Sequence, residues 1–362
     1  GTSEGEFHEA LNLAAVWDLP VLFIVENNGY GLSTPSSEQF RCNLLADKGI
    51  GYGIESKTID GNNILEVFTE VTSMAKKMRK NPKPFLLECK TFRMRGHEEA
   101  SGTKYVPQEL LDEWSKKDPI ANYETYIVDN ELLTVEEIDS IQKEIATEIS
   151  KAVKILDVNS SQTISTETEL NDVYKAHIFK NIDPISSNVE MRFIDAIKQG
   201  LELAMDQHKE LILMGQDIAE YGGVFKITDG FTERFGKGRV RNTPISEAAP
   251  LGAALGLSLA GKKAMVEMQF ADFVSCGFNQ IVNNLAKTYY RWGQNSDVVI
   301  RMPTGGGSAA GPYHSQSNEA WFFHTPGLKI VYPSTPEDAK GLLLAAFEDP
   351  NPVLFFEHKY LY

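Results

Sequence analysis

Val21-Leu22-Phe23-Ile24-Val25-Glu26-Asn27-Asn28-Gly29-Tyr30-Gly31 is the stretch that decides the fold. Its five opening apolar residues suit a strand buried on both faces of a parallel sheet. The Asn-Asn-Gly that follows closes the strand as a turn. Before it, Glu6 to Trp17 carries Phe7, Ala10, Leu11, Ala14 and Ala15 at helical spacing, and Pro20 separates helix from strand. After it, Ile64 to Lys80 reads as a helix, Pro82 and Pro84 punctuate, and Phe85 to Cys89 is a second apolar strand. Helices alternating with strands predict a doubly wound α/β sheet, in which ligands bind beyond the carboxyl ends of the strands.

Further along, Pro107 to about Val158 is charged and periodic, with Thr134-Val135-Glu136-Glu137 as a capped helix start. Residues 159–187, opening with the polar run NSSQTISTET, read as a linker. The alternating pattern then restarts: helix Phe193 to Gln207, strand Leu211 to Met214, and a strand near Arg239. Val298 to Arg301 and Leu328 to Val331 are strands, Pro336 to Phe347 a helix, and Val353 to Phe356 a last strand. The expectation is two α/β domains of similar size, 1–158 and 188–362, each with a mostly parallel sheet.

Composition excludes several classes of function. The chain has 362 residues, 42% of them apolar, and a formal net charge of -15. With a pI near 5.0, it lacks the basic surface that draws a protein onto nucleic-acid phosphates. Cys42, Cys89 and Cys276 are far apart and form no CxxC pair. That argues against a disulfide framework or zinc site and for a reducing, cytoplasmic setting. The longest apolar stretch, Pro250 to Ala260, is too short to span a membrane and contains Gly252 and Gly256. No signal peptide is visible, and Gly1-Thr2-Ser3-Glu4-Gly5 reads like the middle of a loop.

Four constellations carry candidate chemistry. Asn28 and the Tyr30 carbonyl offer hard oxygen ligands suited to magnesium, although an Asn-Gly turn accounts for the same residues. Arg93-Met94-Arg95-Gly96-His97-Glu98-Glu99 presents guanidinium and imidazole groups that suit a phosphate, or is a solvated charged loop. Glu247, in Thr243-Pro244-Ile245-Ser246-Glu247, stands at the start of a helix rich in small residues. Burial there would raise its pKa and suit it to a cofactor nitrogen; a first-turn Glu favoured by the helix dipole is the plainer reading. His314, in Tyr313-His314-Ser315-Gln316-Ser317, follows Gly305-Gly306-Gly307, which lacks the Lys and Ser/Thr of a phosphate loop and reads as a place of close backbone approach.

Taken in order, these motifs resemble the thiamine-diphosphate-dependent 2-oxo acid dehydrogenases, the decarboxylating first component, with alpha and beta halves joined in one chain and cut short at both ends. Asn27-Asn28-Gly29-Tyr30 resembles the close of the thiamine-diphosphate motif, whose acidic opening would precede Gly1. Pro244-Ile245-Ser246-Glu247 and Glu267-Met268-Gln269-Phe270-Ala271-Asp272-Phe273 resemble the second subunit. With Ser33-Thr34-Pro35 and Phe355-Phe356-Glu357, the likeness leans toward the branched-chain (2-oxoisovalerate) type, and pyruvate and acetoin enzymes share much of it.

The resemblance implies two thiamine-diphosphate-binding folds, a diphosphate-binding one in 1–158 and a pyrimidine-binding one in 188–362. It implies that Glu247, His97 and His314 are catalytic, and that Gly1, Asn28, Tyr30, His97, Glu247 and Phe273 contact the cofactor. Magnesium would sit on Asn28 and Tyr30, and potassium at Val298, Val299, Asp349 and Asn351. Glu98 stands where animal relatives carry a regulatory serine, so phosphorylation control is not expected there. The implied partners are a small 2-oxo acid, a lipoyl-bearing acyltransferase and a second copy of the chain, with no nucleic acid and no membrane. The other possibility is an assembly fragment that binds no cofactor by itself.

Overall fold

The computed structural model describes residues 1–98, 100, 102–159, 163–179, 189–307 and 309–362. They form two compact units, Gly1–Thr163 and Ile164–Tyr362.

In the first unit, α1 (Gly5–Val16) leads to β1 (Leu22–Asn27), then a small hairpin of β2 (Tyr30–Gly31) and β3 (Thr34–Pro35). β4 (Glu55–Asp60), α2 (Ile64–Lys80) and β5 (Phe85–Lys90) complete a three-stranded parallel sheet of order β1-β5-β4. The α2 start is set by Asn63, whose side chain accepts the Glu66 N–H at 3.3 Å. β5 is central and buried through Cys89. β1 differs from the expectation of burial on both faces. It is an edge strand, and Ile24 is 51% exposed because no described strand lies beyond it. β4 escaped the sequence reading, since Glu55-Ser56-Lys57-Thr58-Ile59-Asp60 alternates polar residues suited to the opposite edge.

Helices α3 (Gln108–Ser115), α4 (Pro119–Asp129) and α5 (Val135–Asn159) follow. The expected cap is present. Thr134 Oγ1 accepts the Glu137 N–H at 3.2 Å, and the Glu137 carboxylate accepts the Thr134 N–H at 2.8 Å.

Within the span read as a linker, residues 160–162 and 180–187 lie outside the described residues. The part between forms a short α6 (Thr166–Asn171) and is tied to the second unit. Lys175 N–H donates to Asn351 Oδ1 at 2.8 Å, and Tyr174 Oη donates to the Leu328 carbonyl at 3.1 Å.

The second unit holds α7 (Phe193–Gln207), β6 (Ile212–Gly215), α8 (Phe231–Phe235), β7 (Val240–Asn242), α9 (Ala248–Leu259) and β8 (Ala264–Glu267). A 3-10 segment (Ala271–Gly277), α10 (Ala286–Trp292), β9 (Val298–Thr304), α11 (Ala320–Phe323), β10 (Lys329–Val331), α12 (Pro336–Glu348) and β11 (Val353–His358) complete it. The six strands are all parallel, in the order β10-β11-β9-β8-β6-β7. β9 is buried at every residue and β11 at all but His358. On one face α7 and α12 pack Ile197, Leu201, Leu343 and Phe347 against Leu213, Val299 and Phe355. At about 25 cal/mol per Å² of apolar surface, this burial is the dominant force holding the unit together. Gly305 answers the expectation of close approach. Its φ is +78°, and a Cβ there would lie 2.2 Å from the His358 ring.

Candidate functional site

Each unit presents its chemistry at the carboxyl edge of its parallel strands, where βα loops leave backbone groups for a ligand. In the first unit β1 and β5 run in register, Asn27 opposite Lys90, and the Thr91 N–H donates to the Asn27 carbonyl at 3.0 Å. The loops after both strands therefore start side by side. Asn28 Oδ1 accepts the Tyr30 N–H at 3.1 Å, and Asn27 Oδ1 accepts the Gly29 N–H at 3.2 Å. These are two successive Asx turns. The Tyr30 ring packs on Phe92 and Tyr105, with centroids 6.3 and 5.9 Å away. Beside this turn lies a hollow of about 550 Å³, lined among others by Gly1, Phe7, Asn28, Tyr30 and Phe40. That volume falls within the range of small-molecule and cofactor sites.

His97 lies on the loop after β5 and is exposed. Arg93 Nη1 is 3.3 Å from His97 Nδ1, and Arg93 Nη2 donates to the Leu32 carbonyl and to Tyr105 Oη at 3.0 and 3.2 Å. Arginine has only donors, so Nδ1 accepts and the ring proton resides on Nε2. Arg93 thus links the loop bearing His97 to the one that follows Tyr30. Glu99, the last residue of this charged run, lies outside the described residues.

Behind the turn sits a residue that sequence reasoning missed. Glu88, fully buried in β5, accepts from Asn27 Nδ2 at 2.7 Å, Thr58 Oγ1 at 2.9 Å and the Ala46 N–H at 3.0 Å. A buried carboxylate needs such partners, and here they fix the first residue of the Asn-Asn pair. The available signal was one acid inside the apolar run Phe85-Leu86-Leu87-Glu88-Cys89.

In the second unit, Glu247 immediately precedes α9 and is half-buried, not enclosed as the sequence suggested. Its Oε1 accepts from Gln216 Nε2 at 3.0 Å. The two line a small cavity, with Thr243, Met268 and Gln269, at the ends of β6, β7 and β8. Close packing here depends on Gly277, where a Cβ would stand 2.4 Å from Leu251 and 3.2 Å from the Glu247 carbonyl. The enclosed carboxylate of this cavity is Glu267, whose pKa burial pushes up while the Arg301 guanidinium pulls it down.

Phe273 and His314 come together in one aromatic cluster. The His314 ring stands edge-on to Phe273 at 5.5 Å and to Phe270 at 4.8 Å. The His314 loop is held from behind by Asp272, whose Oδ1 accepts the Gln316 N–H at 3.1 Å. Nearby, Lys359 is buried with its Nζ over the Phe270 ring at 5.4 Å. Burial lowers its pKa, and the Asp272 charge partly restores it.

Of the residues expected to hold potassium, Asp349 pairs with a cation of the chain itself. Lys329 Nζ pairs with Asp349 Oδ2. Asp349 Oδ1 accepts from the Asn351 backbone and side-chain nitrogens at 2.9 and 2.8 Å. The Asn351 side chain is further engaged by the Lys175 backbone. Val298 and Val299 are ladder residues of β9. A potassium ion on Asp349 would compete with the Lys329 ammonium for this carboxylate. Among the described residues no group of three or more His, Cys, Asp or Glu side chains is arranged to hold a metal. Magnesium at the first hollow would therefore rest on the Asn28 amide oxygen, the Tyr30 carbonyl and the ligand's own phosphates, a donor set that fits it. No helix of the described residues is long and apolar enough to cross a membrane.

Residues 1–165 match the family model described as Dehydrogenase E1 component, and residues 189–362 match that of Transketolase, pyrimidine binding domain. The chain belongs to the 2-oxo acid dehydrogenase E1 family, with an alpha-like region followed by a pyrimidine-binding domain. Membership implies thiamine diphosphate dependence. Among curated relatives, it is 48% identical to the 2-oxoisovalerate dehydrogenase subunit beta of Bacillus subtilis over 48% of this chain and 53% of that one. It is 46% identical to the mitochondrial 2-oxoisovalerate dehydrogenase subunit beta 2 of Arabidopsis thaliana, over 49% of this chain and 50% of that one. It is 43% identical to the pyruvate dehydrogenase E1 component subunit beta of Acholeplasma laidlawii, over 47% of this chain and 52% of that one. The chain thus spans about half the length of the curated relatives it matches.

Proposed function

We propose that this chain serves the oxidative decarboxylation of a branched-chain 2-oxo acid, with the acyl group passed to the lipoyl group of a partner acyltransferase. The observation that carries the proposal is Glu247, one oxygen held by Gln216, presented at the carboxyl edge of a parallel sheet. When bound, thiamine diphosphate supplies the electron sink for loss of carbon dioxide.

The chain's own residues bind and orient. Glu247 would share a hydrogen bond with a pyrimidine ring nitrogen, and Gln216 holds its carboxylate in place for that. Phe273 would give the ring an apolar wall, and His314, steadied by Phe270 and Phe273, would hold or move a proton there. Asn28 and the Tyr30 carbonyl would hold the magnesium that accompanies the diphosphate, Gly1 lines the same hollow, and His97 would offer a hydrogen bond to a phosphate oxygen.

The test is Glu247→Gln in the protein that carries this chain. Turnover is expected to fall roughly 100-fold or more, while the thermal unfolding profile stays as in the parent. Unchanged turnover removes Glu247 from the chemistry. The likeness to the Acholeplasma pyruvate enzyme keeps one rival substrate in play. Side-by-side turnover of a branched 2-oxo acid and pyruvate decides between them, and a higher kcat/KM for pyruvate overturns the branched-chain reading.

A further inference from the structure

His314 stands on the loop that leaves β9, and that loop is fastened at Gln316. The Gln316 carbonyl accepts from the Gly305 N–H at 2.9 Å and from Thr304 Oγ1 at 3.1 Å, at the end of β9 itself. Its N–H donates to Asp272 Oδ1 at 3.1 Å, and two residues on, Asn318 Nδ2 donates to the Ala271 carbonyl at 2.8 Å. The loop therefore leans on the 3-10 segment Ala271–Gly277, and it does so through a carboxylate.

That carboxylate is buried. Asp272 is 6% exposed, and its Oδ2 has no hydrogen-bond partner among the described residues. Lys359, 7% exposed on the turn after β11, is alike: its Nζ has no partner among them either. An uncompensated charge in such a place is costly, and an apolar side chain would fill the space of Lys359 at less cost. The two charges belong to one cluster behind His314. Lys359 Nζ lies over the Phe270 ring at 5.4 Å, close enough for a cation–π contact. Asp272 follows Phe270 by two residues, and the His314 ring meets Phe270 edge-on at 4.8 Å. Gly307, at the root of the loop, packs closely on the turn bearing Lys359: a Cβ there would come 3.0 Å from the Tyr360 ring. The Asp272 charge favours the ammonium form of Lys359, against burial. Coulomb attraction falls only as the inverse of distance and is weakened least where water is excluded, so the two groups need not touch to act on each other.

We propose that Lys359 is a positioning residue for His314: its ammonium balances the Asp272 carboxylate and, through the Asp272–Gln316 hydrogen bond, sets where the His314 ring stands. The consequence for turnover rests on the part given to His314 under the proposed function; the hold on the loop does not.

The test compares Lys359→Met, Asp272→Asn and the two together, in the protein that carries this chain. Methionine keeps the length of the lysine and removes its charge. Amide exchange at Gln316, read by mass spectrometry of the peptide that carries it, should quicken roughly 10-fold or more in Lys359→Met, as befits a weakened hydrogen bond to a charged group. With both charges gone no lone ion is left in the cluster. The double variant should therefore exchange more slowly at Gln316, and melt higher, than the sum of the two single effects predicts. In Lys359→Met kcat should fall roughly 10-fold or more, the cost of a displaced catalytic group. Half-saturation by thiamine diphosphate should stay within about twofold, because Glu247 and Asn28 are untouched. Unaltered exchange at Gln316 in Lys359→Met overturns the proposal, and so do single effects that simply add in the double variant. If Lys359→Met does not fold, a double variant that folds no better overturns it too. Exchange and coupling as expected with kcat unchanged would uphold the hold of Lys359 on the loop and remove His314 from the chemistry.

Discussion

Replacing Glu88 by Gln tests how the Asn27-Asn28 turn is held. The carboxylate accepts three hydrogen bonds while fully buried. A Gln whose oxygen keeps the two donors on the Oε2 side, Ala46 N–H and Thr58 Oγ1, turns its NH2 toward Asn27 Nδ2. Two donors then face each other. Asn27 cannot flip its amide to relieve this without giving up the Gly29 N–H, which its Oδ1 accepts at 3.2 Å. The loss is one charge-assisted hydrogen bond plus one orphaned buried donor, about 2–3 kcal/mol. For a unit the size of Gly1–Thr163, each kcal/mol moves the midpoint by about 2–4 °C, so the first unit should melt about 4–12 °C lower. Calorimetry should show that fall in one transition and leave the second unit's in place. Amide exchange at Gly29 and Tyr30, the two Asx-turn donors, should quicken with it. A first-unit midpoint within about 1 °C of the parent, with exchange unaltered, would refute the claim that Glu88 organises the turn.

Arg301, fully buried, donates through Nε to Glu357 Oε1 at 2.5 Å, pairs with Glu267, and has Tyr362 Oη 3.3 Å from Nη2. Arg301→Met should destabilise the second unit by about 3–5 kcal/mol, because two carboxylates lose their cation. The cost should depend on pH. Burial raises the folded pKa of Glu267, so protonation favours the folded state. Stability from this group is fully present below the unfolded carboxylate value and is lost as pH climbs through the raised folded value. Arg301 pulls that pKa down; without it the loss extends to higher pH, and urea unfolding should show a larger deficit near about pH 8 than near about pH 5. An equal deficit at both would exclude ionised carboxylates as the cause. Lys329→Ala should leave Asp349, 3% exposed, without its cation. The variant should lose about 1–3 kcal/mol and regain part of it in KCl over an inert salt of equal ionic strength; no potassium-specific rise in melting temperature would mean that the loop cannot take that ion.

Much of the fold was legible because period and punctuation agree. Ile64–Lys80 and Phe193–Gln207 carry apolar faces at helical spacing and form α2 and α7 over those spans. Thr134 and Glu137 announced a cap that exists. Of the candidate residues, Asn28 directly follows β1 and Glu247 directly precedes α9, positions that local sequence can mark. Sequence alone also determined that the sheets are parallel, through helices alternating with apolar strands.

Tertiary structure decided which strands are covered. Apolar Val21–Val25 and apolar Phe85–Cys89 read alike, yet one became an edge and the other a centre, because strand order is set by which neighbours a chain can reach. It also decided the role of buried charge. Glu88, Glu267, Arg301 and Glu357 are ionisable residues inside apolar strands; the hydrogen-bond partners of Glu88 and the two ion-pair partners of Arg301 lie 30 or more positions away. A local pattern cannot name such partners, because Coulomb attraction and hydrogen bonding act over ångströms in space and take no account of distance along the chain. The same holds for Lys329, whose ion-pair partner Asp349 lies 20 positions away.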